Sequence, residues 1–303
     1  KNLMMKNIVL YVLICFSTVT TCISQQNIVV FQSDFGLKDG AVSAMKGVSM
    51  SVSDKLKLFD LTHEIPAYNI WEAAYRLEQT VPYWPSGTVF VSVVDPGVGT
   101  ERKSVVLKTK TGHFIVTPDN GTLTLIAQSL GIEAIREIDE VINRRKNSEK
   151  SYTFHGRDVY AYTAARLAAG AVTFEQIGNK LPDEVVSIPY QQAIIEGQKI
   201  KGTISILDVQ YGNIWTNISG DLFKQLNPVY GDYISVTVFH NKFKVYEGRM
   251  KYAQTFGAVA KGKPLAYLNS LLQFSFALNQ GSFAETFHIQ SGNNWTVEVS
   301  LTK

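Results

Sequence analysis

Two polar, glycine-punctuated loops carry the side chains best suited to chemistry in this 303-residue chain. The first loop, residues 33–40, contains Asp34 and Asp39, and the second runs from Asp95 to Arg102. A carboxylate can accept hydrogen bonds from two adjacent hydroxyls at once, which suits Asp34 or Asp39 to a sugar ligand. Taken alone, either aspartate is more simply interpreted as a solvated turn residue.

A third segment contains a histidine, the side chain whose charge changes most readily near neutral pH. This residue, His155, directly precedes an Ala-rich stretch over residues 159–169, for which Asp158 is the predicted N-cap. A histidine just before a helix N-terminus feels the positive end of the helix dipole, which favours the neutral ring. On its own, His155 is more simply interpreted as a hydrogen-bonded structural residue than as a catalytic one.

Motifs for several other chemistries do not match. Residues 257–264 resemble a phosphate-binding P-loop, but Pro264 stands where a Mg²⁺-binding Ser or Thr is required. The histidines show no metal-ligand spacing, and both cysteines, Cys15 and Cys22, precede residue 27. The sequence therefore predicts no metal site and no thiol chemistry, and any catalysis must use oxygen and nitrogen groups.

The composition is that of a globular protein with a sizeable core. Hydrophobic residues make up 45% and charged residues 18%, and the net charge is only +3. No Lys/Arg run is present, so nothing favours a nucleic-acid partner. A collagen, a coiled coil and a multi-span membrane protein are also excluded, because only one apolar stretch resembles a membrane segment.

The first 26 residues are typical of an export signal. Lys1 and Lys6 form a positive region, and residues 8–16 are apolar but short for a membrane span. The alternatives are a buried N-terminal strand or a membrane anchor, and Cys22 offers a site for a lipid. We therefore expect an exported, periplasmic protein, either free or lipid-anchored through Cys22.

Strand-like and helix-like segments alternate over residues 27–190. Continuous apolar runs at 28–31 and 89–94 predict buried strands, because strands covered on both faces need no polar alternation. Other segments have apolar residues at helical spacing, and the last two of these predicted helices are followed by Gly131 and Gly170. This alternation predicts parallel strand pairing and a layered α/β domain.

Residues 191–303 show the alternating pattern of half-buried strands instead. Runs near residues 234–238 and 243–245 are separated by the turn His240-Asn241-Lys242, and strands are also predicted at 287–289 and 295–301. The fold class is therefore α/β, with an N-terminal mixed α/β sandwich domain followed by a smaller antiparallel β-barrel domain.

Taken together, five ordered motifs resemble the S-adenosyl-L-methionine (SAM) hydrolase family, also called SAM hydroxide adenosyltransferases, which is related to the fluorinase and the chlorinase. The motifs extend over nearly all of the chain after residue 27. They are Ser33-Asp34-Phe35-Gly36 with Asp39, Asp95-Pro96-Gly97-Val98-Gly99-Thr100 with Arg102, Pro118-Asp119-Asn120-Gly121, Phe154-His155-Gly156-Arg157-Asp158, and Asp208 with Tyr211-Gly212-Asn213 and Thr216-Asn217.

The resemblance implies a role for ten residues. Asp95, Arg102 and His155 match the set that activates or positions the attacking water. The remaining seven match ligand contacts: Asp34 for ribose, Asp39 and Asp208 for the methionine amine, Ser270 for its carboxylate, Tyr68 for aromatic packing, and Asn213 and Phe256 for adenine. The resemblance also implies a homotrimer that binds SAM, as substrate rather than cofactor, between one subunit's N-terminal domain and its neighbour's C-terminal domain.

Two departures bear on the reaction. Halogenating relatives carry a tyrosine where this chain has Asp95, and the fluorinase has a serine where it has Gly156. A carboxylate repels halide, so hydrolysis to adenosine and L-methionine is expected, with halide transfer and non-catalytic adenosyl binding as alternatives. Leu271 replaces an arginine that helps to hold the methionine carboxylate in the fluorinase. A further alternative is that Asp95 and Arg102 only brace their loop as a salt bridge.

Overall fold

The computed structural model describes residues 26–302, so the proposed export signal, with Cys15 and Cys22, lies outside the described residues. Strands and helices alternate through the first half, as expected. The strands are β1 Ile28–Ser33, β2 Lys57–Thr62, β3 Val89–Val93, β4 Ser104–Thr109, β5 Phe114–Pro118 and β6 Ile132–Glu137. The α-helices are α1 Ala41–Val52, α2 Ile70–Thr80, α3 Thr124–Leu130, α4 Glu140–Asn143 and α5 Tyr162–Ala168.

The first six strands form one mixed sheet in the order β2-β1-β3-β5-β4-β6. β2, β1, β3 and β5 pair in parallel, whereas β4 runs antiparallel to both of its neighbours. β4 reverses because only a tight turn separates it from β5, and a parallel connection needs a long crossover. The sheet is therefore mixed rather than all-parallel.

Both faces of this sheet are buried, which explains the continuous apolar runs. Alternate residues of β1 show the division: Val29 and Phe31 lie in the core shared with α1 and α5, and Val30 lies in the core shared with α2 and α3. Helices thus cover the sheet on both sides, and the carboxyl ends of β1 and β3 meet at one edge. That edge carries the Asp34 and Asp95 loops.

The helix after His155 begins earlier than expected. A turn of π-helix over Gly156–Ala161 leads into α5, and the backbone N–H of Asp158 already donates to Phe154 O at 3.1 Å. Asp158 is therefore not the N-cap. Its buried carboxylate accepts from Arg157 Nε at 2.8 Å and Nη2 at 2.7 Å instead, since a buried charge requires partners.

The second half forms a closed β-barrel. Its strands are β7 Ile194–Glu196, β8 Lys199–Leu207, β9 Ile214–Ser219, β10 Tyr233–His240, β11 Phe243–Tyr252, β12 Pro264–Leu268, β13 Gln273–Leu278 and β14 Trp295–Thr302, with two short helices, α6 Gly220–Lys224 and α7 Phe283–Phe287. Pairing of β14 with β8 closes seven strands, and β7 adds to β8 outside the ring. The barrel departs from the antiparallel expectation at one junction, where β11 and β12 pair in parallel over two residues.

The barrel's turns confirm one local prediction and contradict another. Asn241 and Lys242 have φ of 48° and 72°, the left-handed pair that a two-residue hairpin requires. Residues 287–289 are not a strand. They contain the last residue of α7 and its C-cap; this helix starts where Ser282 accepts from Glu285 N at 3.1 Å and ends at left-handed His288.

The two halves pack through a small aromatic cluster. Trp71 and Tyr75 of α2 contact Ile206 of β8, and Trp71 Nε1 donates to Ser205 O at 2.8 Å. Buried aromatic area with a satisfied indole N–H gives this contact a defined geometry. Across residues 26–302, no helix has both the length and the apolarity needed to cross a membrane.

Candidate active site

A cavity of about 280 Å³ lies at the carboxyl ends of β1 and β3. Open α/β sheets bind ligands at this edge, because the loops that leave neighbouring strands form a crevice there. We call it the N-terminal cavity. Its lining residues are Asp34, Phe35, Ala67, Tyr68, Val93, Asp95, Val98, Thr153, Phe154, His155 and Gly156.

Asp95 and Arg102 form a bidentate ion pair beside this cavity. Arg102 donates from Nε to Asp95 Oδ1 at 2.9 Å and from Nη2 to Oδ2 at 2.6 Å. The side chains are only 5% and 11% exposed, so solvent screens the pair weakly. Burial lowers the pKa of Arg102, but the hydrogen bond with Asp95 and the electrostatic interactions with Tyr160, Asp95 and Glu140 together outweigh burial and raise that pKa above its usual value. The carboxylate is held in one orientation, and Oδ1 keeps a lone pair that Arg102 does not use.

Two hydroxyls extend this pair into the protein. Arg102 Nη1 donates to Ser104 Oγ at 3.0 Å, which lies 3.2 Å from Tyr160 Oη, and Tyr160 Oη is 3.4 Å from Asp95 Oδ2. Burial, followed by the charge of Asp95, raises the pKa of Tyr160 well above its usual value. The phenol therefore stays protonated and can donate to the carboxylate.

His155 is 3% exposed and contacts an ion pair on its far side from the cavity. Its Nε2 lies 3.5 Å from Glu140 Oε1 and 3.3 Å from Arg144 Nη2, and Glu140 and Arg144 also bind each other. Its Nδ1 is buried and has no protein partner. Buried polar atoms are normally hydrogen-bonded, so an unpartnered nitrogen beside a cavity is suited to a bound water or ligand.

The aspartate of the first loop is held by a strained neighbour. Asp34 Oδ2 accepts from the backbone N–H of Tyr68 at 2.8 Å, and Tyr68 has a left-handed φ of 67°. A large aromatic residue adopts this conformation only where the surroundings impose it, and such residues cluster at functional sites. The Tyr68 ring is 73% exposed at the cavity rim. Asp34 Oδ1 is left free to accept from a ligand.

A chain of polar groups, buried at Ser33 and His63 and partly exposed at Asp60 and Lys46, anchors the same loop. Ser33 Oγ lies 2.7 Å from His63 Nδ1, and His63 Nε2 lies 3.1 Å from Asp60, which Lys46 pairs at 2.6 Å. Burial lowers the pKa of His63, which favours the neutral ring. A neutral ring with its proton on Nε2 donates to Asp60 and accepts from Ser33, so the residue before Asp34 is fixed.

A second cavity, of about 1180 Å³, lies mainly in the barrel half, and we call it the C-terminal cavity. Asp208, Asn213, Phe256 and Ser270 all line it. Asn213 Nδ2 donates to Asp208 Oδ2 at 3.2 Å, within a turn that ends at Gly212. Gly212 is required there, because its φ is 66° and a Cβ would lie 2.1 Å from Ser282 Oγ.

Four aromatic and five amide side chains line the C-terminal cavity, together with four carboxylates. The Phe256 and Tyr267 rings lie 5.0 Å apart, and burial raises the pKa of Tyr267 to about 12. Asn269 accepts from the backbone N–H groups of Leu271 and Gln273 through Oδ1, while its buried Nδ2 has no protein partner. Flat apolar rings with amide donors and acceptors suit a planar heterocycle.

Comparison with known proteins identifies the family. A model described as the SAM hydroxide adenosyltransferase N-terminal domain matches residues 29–178, and one described as the C-terminal domain matches residues 202–296. The chain belongs to this family. Both matched ranges coincide with the two halves of the fold: the first covers the strands of the mixed sheet, and the second covers most of the barrel.

Named relatives agree with the family models. The chain is 38% identical over 218 residues to the (R)-S-adenosyl-L-methionine hydrolase of Methanocaldococcus jannaschii, covering 71% of this chain and 74% of that protein. It is 33% identical over 270 residues to the protein of that name from Thermus thermophilus, covering 87% and 96%. It is 28% identical over 292 residues to a fluorinase of Actinopolyspora mzabensis, covering 88% and 95%.

A solved structure shows the same fold. The crystal structure of an uncharacterized conserved protein from Thermotoga maritima superposes with a TM-score of 0.81 at 34% identity. The match covers 90% of this chain and 99% of that one. At this level of likeness the fold of the family is shared along nearly the whole described chain.

The site residues expected from the sequence do not all meet within this one chain. Asp34, Tyr68, Asp95 and His155 line the N-terminal cavity with Arg102 behind Asp95, whereas Asp208, Asn213, Phe256 and Ser270 line the C-terminal cavity. Glu64 and Pro66 face the second cavity and Ala67 and Tyr68 face the first, so residues 64–68 form a wall between them. Asp39 lines neither cavity and accepts from Ala41 N at 2.9 Å at the start of α1.

Sequence reasoning missed the groups behind the N-terminal cavity. These are Ser104, Glu140, Arg144 and Tyr160. Glu140 and Arg144 are spaced as an ordinary helical (i, i+4) ion pair, a pattern that by itself indicates only a solvated helix face. Nothing in the spacing connects them to His155, because that contact depends on how α4 packs beside the π-helical turn.

Proposed function

We propose that this chain hydrolyses SAM to adenosine and L-methionine by in-line attack of water at C5′. The observation that carries the proposal is the N-terminal cavity, which is lined by Asp34, by a bidentately held Asp95 and by His155, whose Nδ1 has no protein partner. The curated relatives named as SAM hydrolases support it. Since those names specify the (R) form, we propose the same preference at sulfur.

The reaction makes modest demands on the protein. Water oxygen forms a bond to C5′ while the C5′–S bond breaks, its electron pair passes to sulfur, and the water proton is released. Sulfur leaves as a neutral thioether, so no general acid is needed. What is required is an aligned nucleophile in a site with little competing water.

The residues present meet this requirement by orientation. Asp95 accepts a hydrogen bond from the attacking water through a lone pair that Arg102 leaves free, and His155 Nδ1 contacts the same water. Asp34 accepts from the ribose hydroxyls through its free oxygen. Arg102 fixes Asp95 and offsets negative charge that develops as the water loses its proton.

Halide transfer is the weaker reading of the same site. Among the described residues that line the N-terminal cavity, Asp34 and Asp95 carry negative charge, and none is a Lys or an Arg. A halide ion would meet net repulsion there. Space is also lacking for a larger residue at Gly156, because a Cβ would lie 3.2 Å from Val93 Cγ1 and 3.3 Å from Met45 Sδ.

We further propose a homotrimer in which the N-terminal cavity of one subunit faces the C-terminal cavity of its neighbour. Support comes from the wall at residues 64–68, which separates the two groups of ligand residues inside a single chain. Large apolar side chains at these loops are also exposed, with Tyr68 at 73%, Leu37 at 66% and Tyr211 at 65%. A neighbouring subunit would cover them and complete both ligand surfaces.

The deciding experiment is incubation of the leader-free protein with SAM in oxygen-18 water, with and without chloride or fluoride, followed by mass spectrometry. Labelled adenosine formed regardless of halide is the expected result. A 5′-halo-adenosine product would instead establish a transferase. Bound but unchanged SAM would leave a non-catalytic adenosyl-binding protein.

The trimer is tested by mixing the Asp95→Asn and Phe256→Ala variants under conditions that exchange subunits, with SAM far below the KM of the second variant so that each variant alone is slow. If sites form between subunits, about one quarter of the sites in a random mixture combine two intact halves, and activity returns. Activity that stays at the level of the separate variants would place each site within one chain.

Export is proposed on the pattern of residues 1–26 alone. Fractionation of cells that express the full chain, with N-terminal sequencing of the mature protein, tests it. Cleavage near residue 25 in the periplasmic fraction is expected, and a diacylglycerol-modified Cys22 would indicate the lipid-anchored form. An uncleaved cytoplasmic protein would contradict export.

A further inference from the structure

Glu140 connects His155 with the Asp95–Arg102 ion pair. Its Oε1 lies 3.5 Å from His155 Nε2 and accepts from Ser104 Oγ at 3.4 Å, while Oε2 pairs with Arg144. Ser104 in turn accepts from Arg102 Nη1 at 3.0 Å. One carboxylate therefore contacts His155 directly and reaches Arg102 through a single hydroxyl.

The number of available protons decides which groups in this network donate hydrogen bonds and which accept them. Arg102 can only donate, so Ser104 Oγ accepts from it and has one proton left to give. Tyr160 also has one proton, and Asp95 Oδ2 and Glu140 Oε1 are the two carboxylate oxygens in reach. Donation from Ser104 to Glu140 and from Tyr160 to Asp95 satisfies every group when Glu140 is ionised.

His155 Nε2 faces two groups that demand opposite states of it. Arg144 is a donor only, so it can bond Nε2 when that nitrogen is bare and Nδ1 carries the proton. Glu140 is an acceptor, so it bonds Nε2 when that nitrogen carries the proton and Nδ1 is bare. Only the second tautomer leaves Nδ1 able to accept a hydrogen bond from water in the cavity.

A histidine elsewhere in this chain shows the second arrangement complete. His63 presents Nε2 to the carboxylate of Asp60 at 3.1 Å, and its Nδ1 lies 2.7 Å from the hydroxyl of Ser33. At His155 the carboxylate is present, Nδ1 has no protein partner, and the residue lines the N-terminal cavity. The hydrogen bond from His155, followed by that from Arg144, lowers the pKa of Glu140 to about 2 despite burial, so this acceptor stays ionised at neutral pH.

We propose that Glu140 is a positioning residue for the hydrolysis: its carboxylate holds the proton of His155 on Nε2, so that Nδ1 accepts a hydrogen bond from the attacking water. This inference rests on the proposed function, because it assigns the water contact to His155. Glu140 acts through His155 and touches no reacting atom. Arg144 neutralises Glu140 and competes with it for Nε2.

The charged and titratable groups around His155 set the expected pH dependence. They are Glu140 and Arg144 at Nε2, Tyr152 and Tyr160 with rings 6.2 and 6.4 Å away, and the Asp95–Arg102 pair beyond Tyr160. Activity requires a bare Nδ1, so it falls as the ring takes up a second proton. An adjacent carboxylate favours that second proton, and removing its charge shifts the fall to lower pH.

The test compares Glu140→Gln with wild type over pH 5 to 9. We expect kcat to fall on the order of 10²-fold with KM little changed, and the acid limb of the profile to move about one pH unit lower. Nitrogen-15 NMR of the His155 ring should show the proton on Nε2 in the wild type and a gain of the Nδ1–H tautomer in the variant. Glu137→Gln removes a charge from an exposed pair with Lys103 and is the matched control, with no shift expected.

A second variant moves the limb the other way. Arg144→Met keeps an apolar stem against the Tyr152 ring but removes the competing cation, so the acid limb should move to higher pH. An unmoved limb in both variants, shifts in the same direction, or an Nδ1–H tautomer in the wild type would each overturn the role of Glu140. If wild-type protein does not hydrolyse SAM at all, the proposed function fails instead, and the NMR measurement still decides the tautomer.

Discussion

The two cavities are built on different principles. Around the N-terminal cavity, Asp95, Arg102, His155 and Glu140 belong to one hydrogen-bonded network, and even Asp34 has a fixed backbone donor. The C-terminal cavity is about four times larger, is lined by aromatic and amide groups, and keeps a buried Asn269 Nδ2 without a protein partner. Orientation of a small nucleophile needs rigidity, whereas recognition of a large planar ligand needs surface.

This contrast predicts that changes in the first cavity alter turnover and that changes in the second alter affinity. The largest effect is expected for Asp95→Asn. An amide keeps the shape but removes the charge that orients the water, so kcat should fall on the order of 10³-fold while the Kd for adenosine stays within about threefold. Single-turnover assays and calorimetry measure the two quantities. Asp221→Asn, on an exposed pair with Lys224, is the control. Near-normal turnover would leave the ion pair as a brace for its loop.

Phe256→Ala should weaken affinity and leave turnover nearly unchanged, the opposite of Asp95→Asn. Loss of an aromatic surface weakens ligand binding without moving the water, so KM and Kd should rise about tenfold to thirtyfold with kcat nearly unchanged. Phe243→Ala removes an exposed ring elsewhere on the barrel and should change neither constant. A fall in kcat as large as that of Asp95→Asn would break the contrast between the cavities.

Gly156→Ser tests how tightly the first cavity is packed. Three side chains lie within 3.4 Å of the position a Cβ would take, so they must shift by a few tenths of an ångström. We expect kcat to fall about tenfold with no halogenated product in the presence of fluoride. The assay is mass spectrometry of the adenosyl products. Turnover equal to wild type would show that the cavity tolerates looser packing than its hydrogen bonds suggest.

The smallest expected effect is a change in stability, at a residue that plays no part in the candidate site. Burial raises the pKa of Glu78, on α2 and outside both cavities, to about 7. The unfolded chain therefore loses this proton first as pH rises, and the folded state loses stability between about pH 4.5 and pH 7. Glu78→Gln should raise Tm at pH 8 and leave it unchanged at pH 4, with a gain in unfolding free energy of at most about 3 kcal/mol. Thermal denaturation at both pH values checks this, with exposed Glu247→Gln as control.

Local patterns predicted the elements that depend on local physics. The continuous apolar runs of β1 and β3, the stop of α3 at Gly131 and the hairpin at Asn241 and Lys242 are all present. The prediction failed at residues 287–289 and at Asp158. At Asp158 the helix starts earlier than the sequence pattern indicates, and at 287–289 the short helix α7 ends where a strand was predicted, because side-chain and backbone hydrogen bonds decide where a helix begins.

For the candidate site too, the sequence predicted some features and not others. Motif order along the chain was enough to name Asp34, Asp95, Arg102 and His155, and the structure places these four at one edge of the mixed sheet. The residues named for the other part of the ligand also lie together, around the C-terminal cavity. The resemblance implied that two subunits share each site, but only the structure shows that residues 64–68 lie between the two cavities of one chain.

What the sequence determined by itself is the set of chemically capable side chains and the alternation of elements that carries them. Both depend on residue type and spacing, which act over a few positions along the chain. Only the tertiary structure decided that Glu140 meets His155 fifteen positions later, that Ser104 lies between Glu140 and Arg102, and that Tyr68 is strained against Asp34. These contacts depend on how strands and helices pack, and packing joins residues whose separation in sequence carries no periodic signal.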